Sequence, residues 1–404
     1  MSNCCVVGLG YIGLPTAALI AKSNKFVLGV DTNKNVVDTI NKGEVHFFEP
    51  GLKNLVKENI RAKKLRASLT PSYSDVFVIA VPTPFKQKAG EIPQPDIQFV
   101  LSAARSICPY LQDNNLIIIE STSPVGTTER VKEEIEKFAS CNTDKIHICY
   151  CPERVIPGNI INELVLNNRV IGGIKSNDAK IAKIFYESFC EGKIQLTDVR
   201  TAELVKLTEN TFRDVNIALA NELSMICDYL DINVYELIHL SNQHPRVNIL
   251  NPGCGVGGHC IAIDPWFIAS ACPEASQLIQ VARKVNNHKA EWVTNKIIEE
   301  STILQNKIGR IPKIGCLGLT FKPDVDDVRE SPAIKIAENL ISLEAELLVC
   351  EPNLMDFDIF ELKSLNYVLK NSDMIVILVS HKEFRELDFA NKIVFDFCGN
   401  NSSF

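Results

Sequence analysis

The chain has 404 residues, which at roughly 150 residues per domain points to two or three domains. Hydrophobic residues make up 46% and charged residues 23%, a globular rather than a disordered composition. Forty-two Lys and Arg against 49 Asp and Glu give a net charge of −7, which speaks against a general binder of nucleic-acid backbones. Fourteen cysteines at scattered spacing fit no small disulfide scaffold and suggest a reducing, cytoplasmic setting.

Cys4–Ala21 carries no charge and approaches the length of about 18 apolar residues at which a membrane span is considered. Gly8, Gly10, Gly13 and Pro15 interrupt it, and no basic residue precedes it, as a signal peptide would require. A strand followed by a glycine turn is expected instead, with no membrane association.

In chain order, strands are expected at Cys4–Val7, Phe26–Val30, Val76–Val81, Leu116–Ile119, Ile146–Tyr150 and Arg169–Ile171, with helical spacing between most of them. Such alternation predicts a parallel sheet with helices on both faces, whose ligands sit at the carboxyl ends of the strands. Thr201–Leu230 lacks Gly and Pro and reads as one long helix, with Thr201 as N-cap and Glu203 near its start. A second helical pattern runs over Ala275–Gln305, and a Gly- and Pro-rich loop, Asn251–Cys260, lies between the two. A βα alternation then resumes, with strands at Ile314–Leu319, Leu347–Cys350, Met374–Val379 and Ile393–Phe397. The expected fold is α/β: two Rossmann-like doubly wound domains joined by a long central helix and a helical middle domain. The expected boundaries are 1–198, 199–306 and 307–404.

Gly8-Leu9-Gly10-Tyr11-Ile12-Gly13 follows the first strand and opens a helix. The first glycine makes the turn, the second admits a pyrophosphate, and the third allows close helix–strand packing. The helix N-terminus adds free N–H groups. Asp31 ends the next strand, where a carboxylate takes both ribose hydroxyls and repels a 2′-phosphate, so NAD is favoured over NADP. Val81-Pro-Thr83-Pro and Ser121-Thr122-Ser-Pro end two further strands. Their hydroxyls can touch cofactor or substrate, or serve ordinary turns.

Cys260 closes a segment holding Gly253, Gly255, Gly257 and Gly258, and Asp264 follows it. Backbone can approach a ligand closely there, and a thiol in such a loop is a candidate nucleophile. Zinc held by Cys254, His259 and Cys260 is disfavoured, because adjacent His and Cys do not easily face one tetrahedral ion and no CxxC pair completes the set. No metal is expected. On the long helix, Lys206, Asn210 and Arg213 share one face and read either as an oxyanion clamp or as a solvated surface. Glu153 and Arg154 follow the strand ending near Tyr150, so Glu153 is either a general base or half of an ion pair. Lys322 and Arg329 lie in a loop between strand and helix, where cations suit nucleotide phosphates.

Together, Gly8–Pro15, the VPTP and STSPVGTT loops, Cys151–Arg154, Lys206–Asn210, Gly255–Cys260 and Phe321–Ser331 resemble the UDP-glucose/GDP-mannose dehydrogenase family across nearly the whole chain. Segments around Glu153, Asn168–Gly173, Phe212–Ala218 and His244–Ile249 are similar to the branch acting on UDP-N-acetyl-D-mannosamine, with the UDP-N-acetylglucosamine branch next. The resemblance implies four-electron oxidation of the sugar C6 alcohol to a carboxylate, with two NAD reduced and Cys260 forming a thiohemiacetal and then a thioester. It also implies that Lys206 and Asn210 stabilise charge on the C6 oxygen and that Asp264 helps to activate water. Glu153 then assists hydrolysis and Thr122 positions water. Arg154, Arg213, Arg246, Asn248, Gly257 and Lys322 would contact the UDP-N-acetylhexosamine, Arg246 from a neighbouring subunit. Lys322 and Arg329 would serve the boundary between sugar nucleotide and cofactor. A homodimer through the helical middle is implied, and no nucleic-acid partner. Two other readings compete: a two-electron hydroxyacid dehydrogenase, against which the second α/β domain and the GVGGHC loop count, and a non-catalytic NAD-binding sensor, which has no need of a nucleophile.

Overall fold

The computed structural model describes residues 3–86, 91–258, 260–385, 387, 389 and 392–399. Its strands are β1 (Asn3–Val7), β2 (Phe26–Val30), β3 (Leu65–Ser68), β4 (Val76–Ile79), β5 (Phe85–Lys86), β6 (Gln94–Pro95), β7 (Leu116–Ile119), β8 (His147–Tyr150), β9 (Arg169–Gly173), β10 (Ile194–Asp198), β11 (Lys313–Leu317), β12 (Glu346–Cys350), β13 (Met374–Ile377) and β14 (Ile393–Asp396). The chain forms two compact units, one of Met1–Thr208 with Trp266–Cys272, the other of Glu209–Pro265 with Pro273–Phe404.

The first unit holds an eight-stranded sheet in the order β10-β9-β8-β7-β4-β1-β2-β3. Its central strands, Val76–Ile79 and Leu116–Ile119, are buried along their whole length, as parallel strands covered on both faces must be. Alternate residues serve opposite cores. Cys4, Val6, Val76, Val78, Leu116 and Ile118 pack on one side, against the helices Gly13–Lys22 and Leu52–Arg61. Cys5, Val7, Phe77, Ile79, Ile117 and Ile119 pack on the other, against the helices Gln98–Ile107 and Thr127–Phe138.

The expectation of a wholly parallel sheet needs one correction. β9 runs antiparallel to β8, pairing Cys149 with Gly173 and Tyr150 with Gly172, and β10 follows β9 in parallel. The link between β8 and β9, residues 151–168, holds one short helix, Ile160–Leu166, and returns the chain to the end of the sheet at which β8 finishes. The first residue of β9, Arg169, therefore lies at the same sheet edge as the residues that follow β8.

The long helix spans Val199–Leu230 and begins before Thr201. Thr201 is not its cap. Asp198 is: its carboxylate accepts the Thr201 N–H at 2.9 Å and the Thr201 hydroxyl at 2.6 Å, bonds that hold the Asp198 carboxyl below the usual range.

In the second unit the helices Val199–Leu230 (from Glu209 onward) and Gln277–Ile308 are joined by buried polar groups. Arg283 donates to Asp214 Oδ1 at 2.5 Å, Asn286 donates to the same atom at 2.8 Å, and Asn221 donates to Asn286 at 2.9 Å. Burial pushes the Asp214 carboxyl up, against the pull of the Arg283 guanidinium. Asp214→Ala would strand that guanidinium inside the protein and should cost about 3–5 kcal/mol. Asp214→Leu combined with Arg283→Met should cost less than either single change. Denaturant midpoints of the three variants followed by circular dichroism check this, and equal losses in all would refute the pairing.

The same unit carries a four-stranded parallel sheet in the order β12-β11-β13-β14. Ile314, Cys316, Met374 and Val376 pack on one face with Val293 and Ile297 of the helix Gln277–Ile308, while Leu317, Ile375 and Ile377 pack on the other with Val368 and Phe384. A second doubly wound arrangement results, as expected. Among the described residues no helix is long and apolar enough to cross a membrane.

Candidate active site

At the carboxyl end of β1 the chain turns sharply. Gly8 has φ of +94°, and a Cβ there would lie 2.4 Å from the Ala80 carbonyl oxygen. A Cβ on Gly13 would fall 1.8 Å from the Gly8 carbonyl oxygen, whereas one on Gly10 would meet nothing within 4 Å. Two glycines are thus demanded by packing, and the middle one, expected to admit a pyrophosphate, faces open space. The helix Gly13–Lys22 has no acidic residue in its first turn and no side-chain cap, which leaves its positive end available to an anion. Tyr11 stacks on Phe47 at 4.3 Å between ring centroids. Asp31 accepts the Leu9 N–H at 3.0 Å and the Asn33 N–H at 2.8 Å, so the carboxylate expected to meet the ribose also ties down the turn.

The two hydroxyl loops are joined to each other. Thr83 donates to the Thr122 carbonyl at 2.5 Å, and the Val81 N–H donates to Ser121 Oγ at 2.9 Å. Glu203 holds the helix that follows: it accepts from the Gly126 N–H at 2.7 Å, the Thr128 N–H at 2.8 Å and the Thr128 hydroxyl at 2.6 Å. Burial pushes its carboxyl up, and these bonds oppose the push. Beyond β8, Glu153 is 7% exposed and accepts from the Arg154 N–H at 2.8 Å and from Arg169 at 2.9 Å. Arg154 is turned away toward the Asn168 carbonyl.

In the second unit, Asn210 is fully buried and donates to Asp264 at 2.5 Å, while Arg213 donates to the Asn210 carbonyl oxygen. Asn210 thereby links the long helix to a carboxylate 54 positions further along the chain. Lys206 is one helical turn earlier and 9% exposed. Asp264 opens the helix Asp264–Ala271, and its N–H donates to the Cys260 carbonyl at 2.8 Å. Cys260 is partly exposed. His259, weighed as a zinc ligand, lies outside the described residues.

The glycine loop before Cys260 packs on the segment 321–330. A Cβ on Gly257 would lie 2.6 Å from the Glu330 carbonyl oxygen, and Gly258, with φ of +79°, donates its N–H to the Arg329 carbonyl at 3.0 Å. Arg329 itself grips Asp327 with a two-pronged ion pair. Lys322 lines a cavity of about 220 Å³ with Gly253, Cys254, Phe321 and Ser380. Arg246 and Asn248 are exposed in a loop that Asn242 closes through both bonds to Ile249. The structure therefore gathers Gly8–Gly13, Asp31, Thr83, Thr122 and Glu153 along one edge of the large sheet. Within the second unit, Asn210 is linked to Arg213 and to Asp264, and Asp264 to Cys260.

Three models of one family match the chain in order: the NAD-binding domain of the UDP-glucose/GDP-mannose dehydrogenase family over residues 2–190, its central domain over 200–288 and its UDP-binding domain over 315–400. UDP-N-acetyl-D-mannosamine dehydrogenase of Campylobacter jejuni is 48% identical, over 98% of each chain. The chain belongs to the UDP-glucose/GDP-mannose dehydrogenase family. It is an NAD-dependent UDP-sugar dehydrogenase. An NDP-N-acetyl-D-galactosaminuronic acid dehydrogenase of Ralstonia nicotianae is 46% identical, over 95% of this chain and 92% of its own. The solved structure of the UDP-N-acetyl-mannosamine dehydrogenase Cap5O of Staphylococcus aureus matches with a TM-score of 0.88 and 43% identity, over 100% of this chain and 96% of the other.

Sequence reasoning did not single out Arg169 or Glu120. Arg169 opens a strand, where an arginine ordinarily reads as a solvated end, and only the reversal of β9 brings it to Glu153.

Proposed function

We propose that the enzyme oxidises the C6 alcohol of UDP-N-acetyl-D-mannosamine to the carboxylate by a covalent route through Cys260. The observation that carries this reading is Cys260 presented, partly exposed, on a glycine loop beside the buried Asn210–Asp264 pair, in a chain 48% identical to dehydrogenases named for that sugar.

NAD, when bound, supplies the hydride acceptor in both oxidations. Gly10 and the start of the helix Gly13–Lys22 would hold its pyrophosphate and Asp31 a ribose, with Tyr11, Ile12, Thr83 and Arg329 as further contacts. Cys260 Sγ adds to the C6 aldehyde carbon, forming a C–S bond and a thiohemiacetal, so that the second oxidation ends in a thioester. Lys206 and Asn210 stabilise negative charge on the C6 oxygen during these steps. Water then attacks the acyl carbon, its proton passing to Asp264 or Glu153, and the C–S bond breaks to return the Cys260 thiolate and release the acid. Thr122 positions that water, while Arg154, Arg213, Gly257 and Lys322 bind the sugar nucleotide.

We further propose that the enzyme is a homodimer, with Arg246 and Asn248 reaching the partner's substrate. Phe212, Leu219 and Ile226 recur at seven-residue spacing on the long helix and stay 66%, 46% and 47% exposed, an apolar stripe suited to a second copy. Phe212→Glu should yield monomers in sedimentation velocity and lower activity, and an unchanged sedimentation coefficient would refute this face. The fourteen cysteines at scattered spacing suit a reducing, cytoplasmic setting.

The test of the substrate is the NADH formed per sugar consumed, with UDP-N-acetylmannosamine, UDP-N-acetylglucosamine, UDP-N-acetylgalactosamine and UDP-glucose in parallel. Two NADH and the highest kcat/KM with the manno sugar are expected. Preference for another sugar would overturn the substrate, and one NADH with accumulating aldehyde would overturn the covalent route.

A further inference from the structure

Behind Glu153 lies a buried cluster of charge that the chemistry above does not use. Glu120, immediately after β7, is 3% exposed: its Oε1 accepts from the Tyr186 hydroxyl at 2.6 Å, and its Oε2 has no hydrogen-bond partner among the described residues. Arg169 is 4% exposed and donates to Glu153 Oε2 at 2.9 Å, to the Leu164 carbonyl at 2.9 Å and to Cys190 Sγ at 3.1 Å. Its guanidinium carbon lies 4.7 Å from the centroid of the Tyr186 ring. Glu153 is thus bonded to the guanidinium, and Glu120 is joined to it through Tyr186, in a buried place where each unit of charge is felt strongly.

The groups facing Glu120 are Cys4 of β1, Cys151 and Glu153 after β8, Arg169 of β9, and Tyr186 and Cys190 at and beyond the end of the helix Ser176–Tyr186. Burial pushes up the thiols of Cys4, Cys151 and Cys190 and the Tyr186 phenol, which keeps them protonated near neutrality. Burial, with the charge of Glu153 beside it, pushes the Glu120 carboxyl up to about 7. Glu120 is therefore a group in the cluster whose charge is set to change near neutrality.

We propose that Arg169 and Glu120 are positioning residues for Glu153: Arg169 fixes its carboxylate through one guanidinium nitrogen, and Glu120, when ionised, competes for the same cation and loosens that hold. The inference rests on the reading that Glu153 serves the hydrolytic half of the reaction. With Glu120 neutral, the cation is committed to Glu153. With Glu120 charged, the cation is shared, and Glu153 is held less firmly in the place from which it draws the proton of attacking water.

The test separates the burst of NADH that precedes hydrolysis from steady-state acid formation, across pH. In the wild type the steady-state rate should fall as pH rises through about 7. Glu120→Gln keeps an oxygen for the Tyr186 hydroxyl but cannot ionise, so that fall should vanish while KM for the sugar nucleotide is unchanged. Arg169→Met should slow the steady state by roughly 10-fold or more and spare the burst, with Arg169→Lys recovering part of the loss. A wild-type pH profile in Glu120→Gln, or equal slowing of burst and steady state in Arg169→Met, overturns the proposal. Glu153→Gln separates the two levels. If it hydrolyses normally, the role of Glu153 itself fails and this inference with it. If it is slow while Glu120→Gln and Arg169→Met behave as wild type, only this inference fails.

Discussion

Cys260→Ser should abolish net formation of the uronic acid, by roughly a thousandfold or more, while leaving NAD binding intact. A serine hydroxyl replaces the thiol at nearly the same volume, so the loop need not move. But the hydroxyl is far less acidic than a thiol and adds poorly to an aldehyde without an adjacent base, and the oxygen ester it could form is a poorer acyl donor than a thioester. The structure gives the Cys260 carbonyl a fixed role, accepting from the Asp264 N–H at 2.8 Å, which the substitution preserves. The measurement is the yield of NADH and of acid per sugar, together with mass spectrometry of the quenched enzyme. Wild-type protein stopped during turnover should carry an acyl adduct on Cys260 and the variant none. A variant that still makes acid at the wild-type rate would remove the covalent route altogether.

The second large effect is expected at Gly257. A methyl group there would lie 2.6 Å from the Glu330 carbonyl oxygen and 2.8 Å from Phe321 Cβ. One of these neighbours is backbone and the other a ring's first carbon, so neither can swing aside as a flexible side-chain end would. Gly257→Ala must therefore displace the loop that carries Cys260, and a displacement of about 1 Å at a reacting group can cost around a hundredfold in rate. We expect kcat/KM to fall by about that factor, while the affinity for NAD, whose binding turn belongs to the other unit, stays as in the wild type. Stopped-flow kinetics and a fluorescence titration with NAD check both halves. A variant with unchanged kcat/KM would mean that the loop's seat on the segment 321–330 does not set the position of the thiol.

Much of the fold is legible in the sequence because its central strands are buried on both faces and so read as unbroken apolar runs, Val76–Ile79 and Leu116–Ile119 among them. The strands left unread have weaker signals. Leu65–Ser68 is a short edge strand, and Ile194–Asp198 is half exposed, with Gln195 and Thr197 breaking its apolar pattern. Strand direction is set by how the connecting chain returns, which no local pattern records, and so the reversal of β9 was invisible. With it went the pairing of Arg169 with Glu153. The same limit applies to Asn210. Its place on a helix face is readable from spacing, but its bond to Asp264 spans 54 positions of chain. Motifs, by contrast, carry the turn at Gly8–Gly13 and the loop before Cys260, because close backbone approach leaves no choice of residue there.

The burial of so many sulfur atoms bears on how the enzyme would meet a reactive drug. Cys5, Cys151 and Cys350 sit in strands or just beyond them, and burial pushes their thiols up to about 12; those of Cys149 and Cys316 go higher still. Such thiols are almost never thiolates, and electrophiles select thiolates that they can reach. Of fourteen cysteines, only Cys272 is exposed, and Cys141, Cys260 and Cys398 are partly so. A cysteine-rich chain therefore offers an alkylating inhibitor few targets. One of them is the sulfur on which the acid-forming step is proposed to depend.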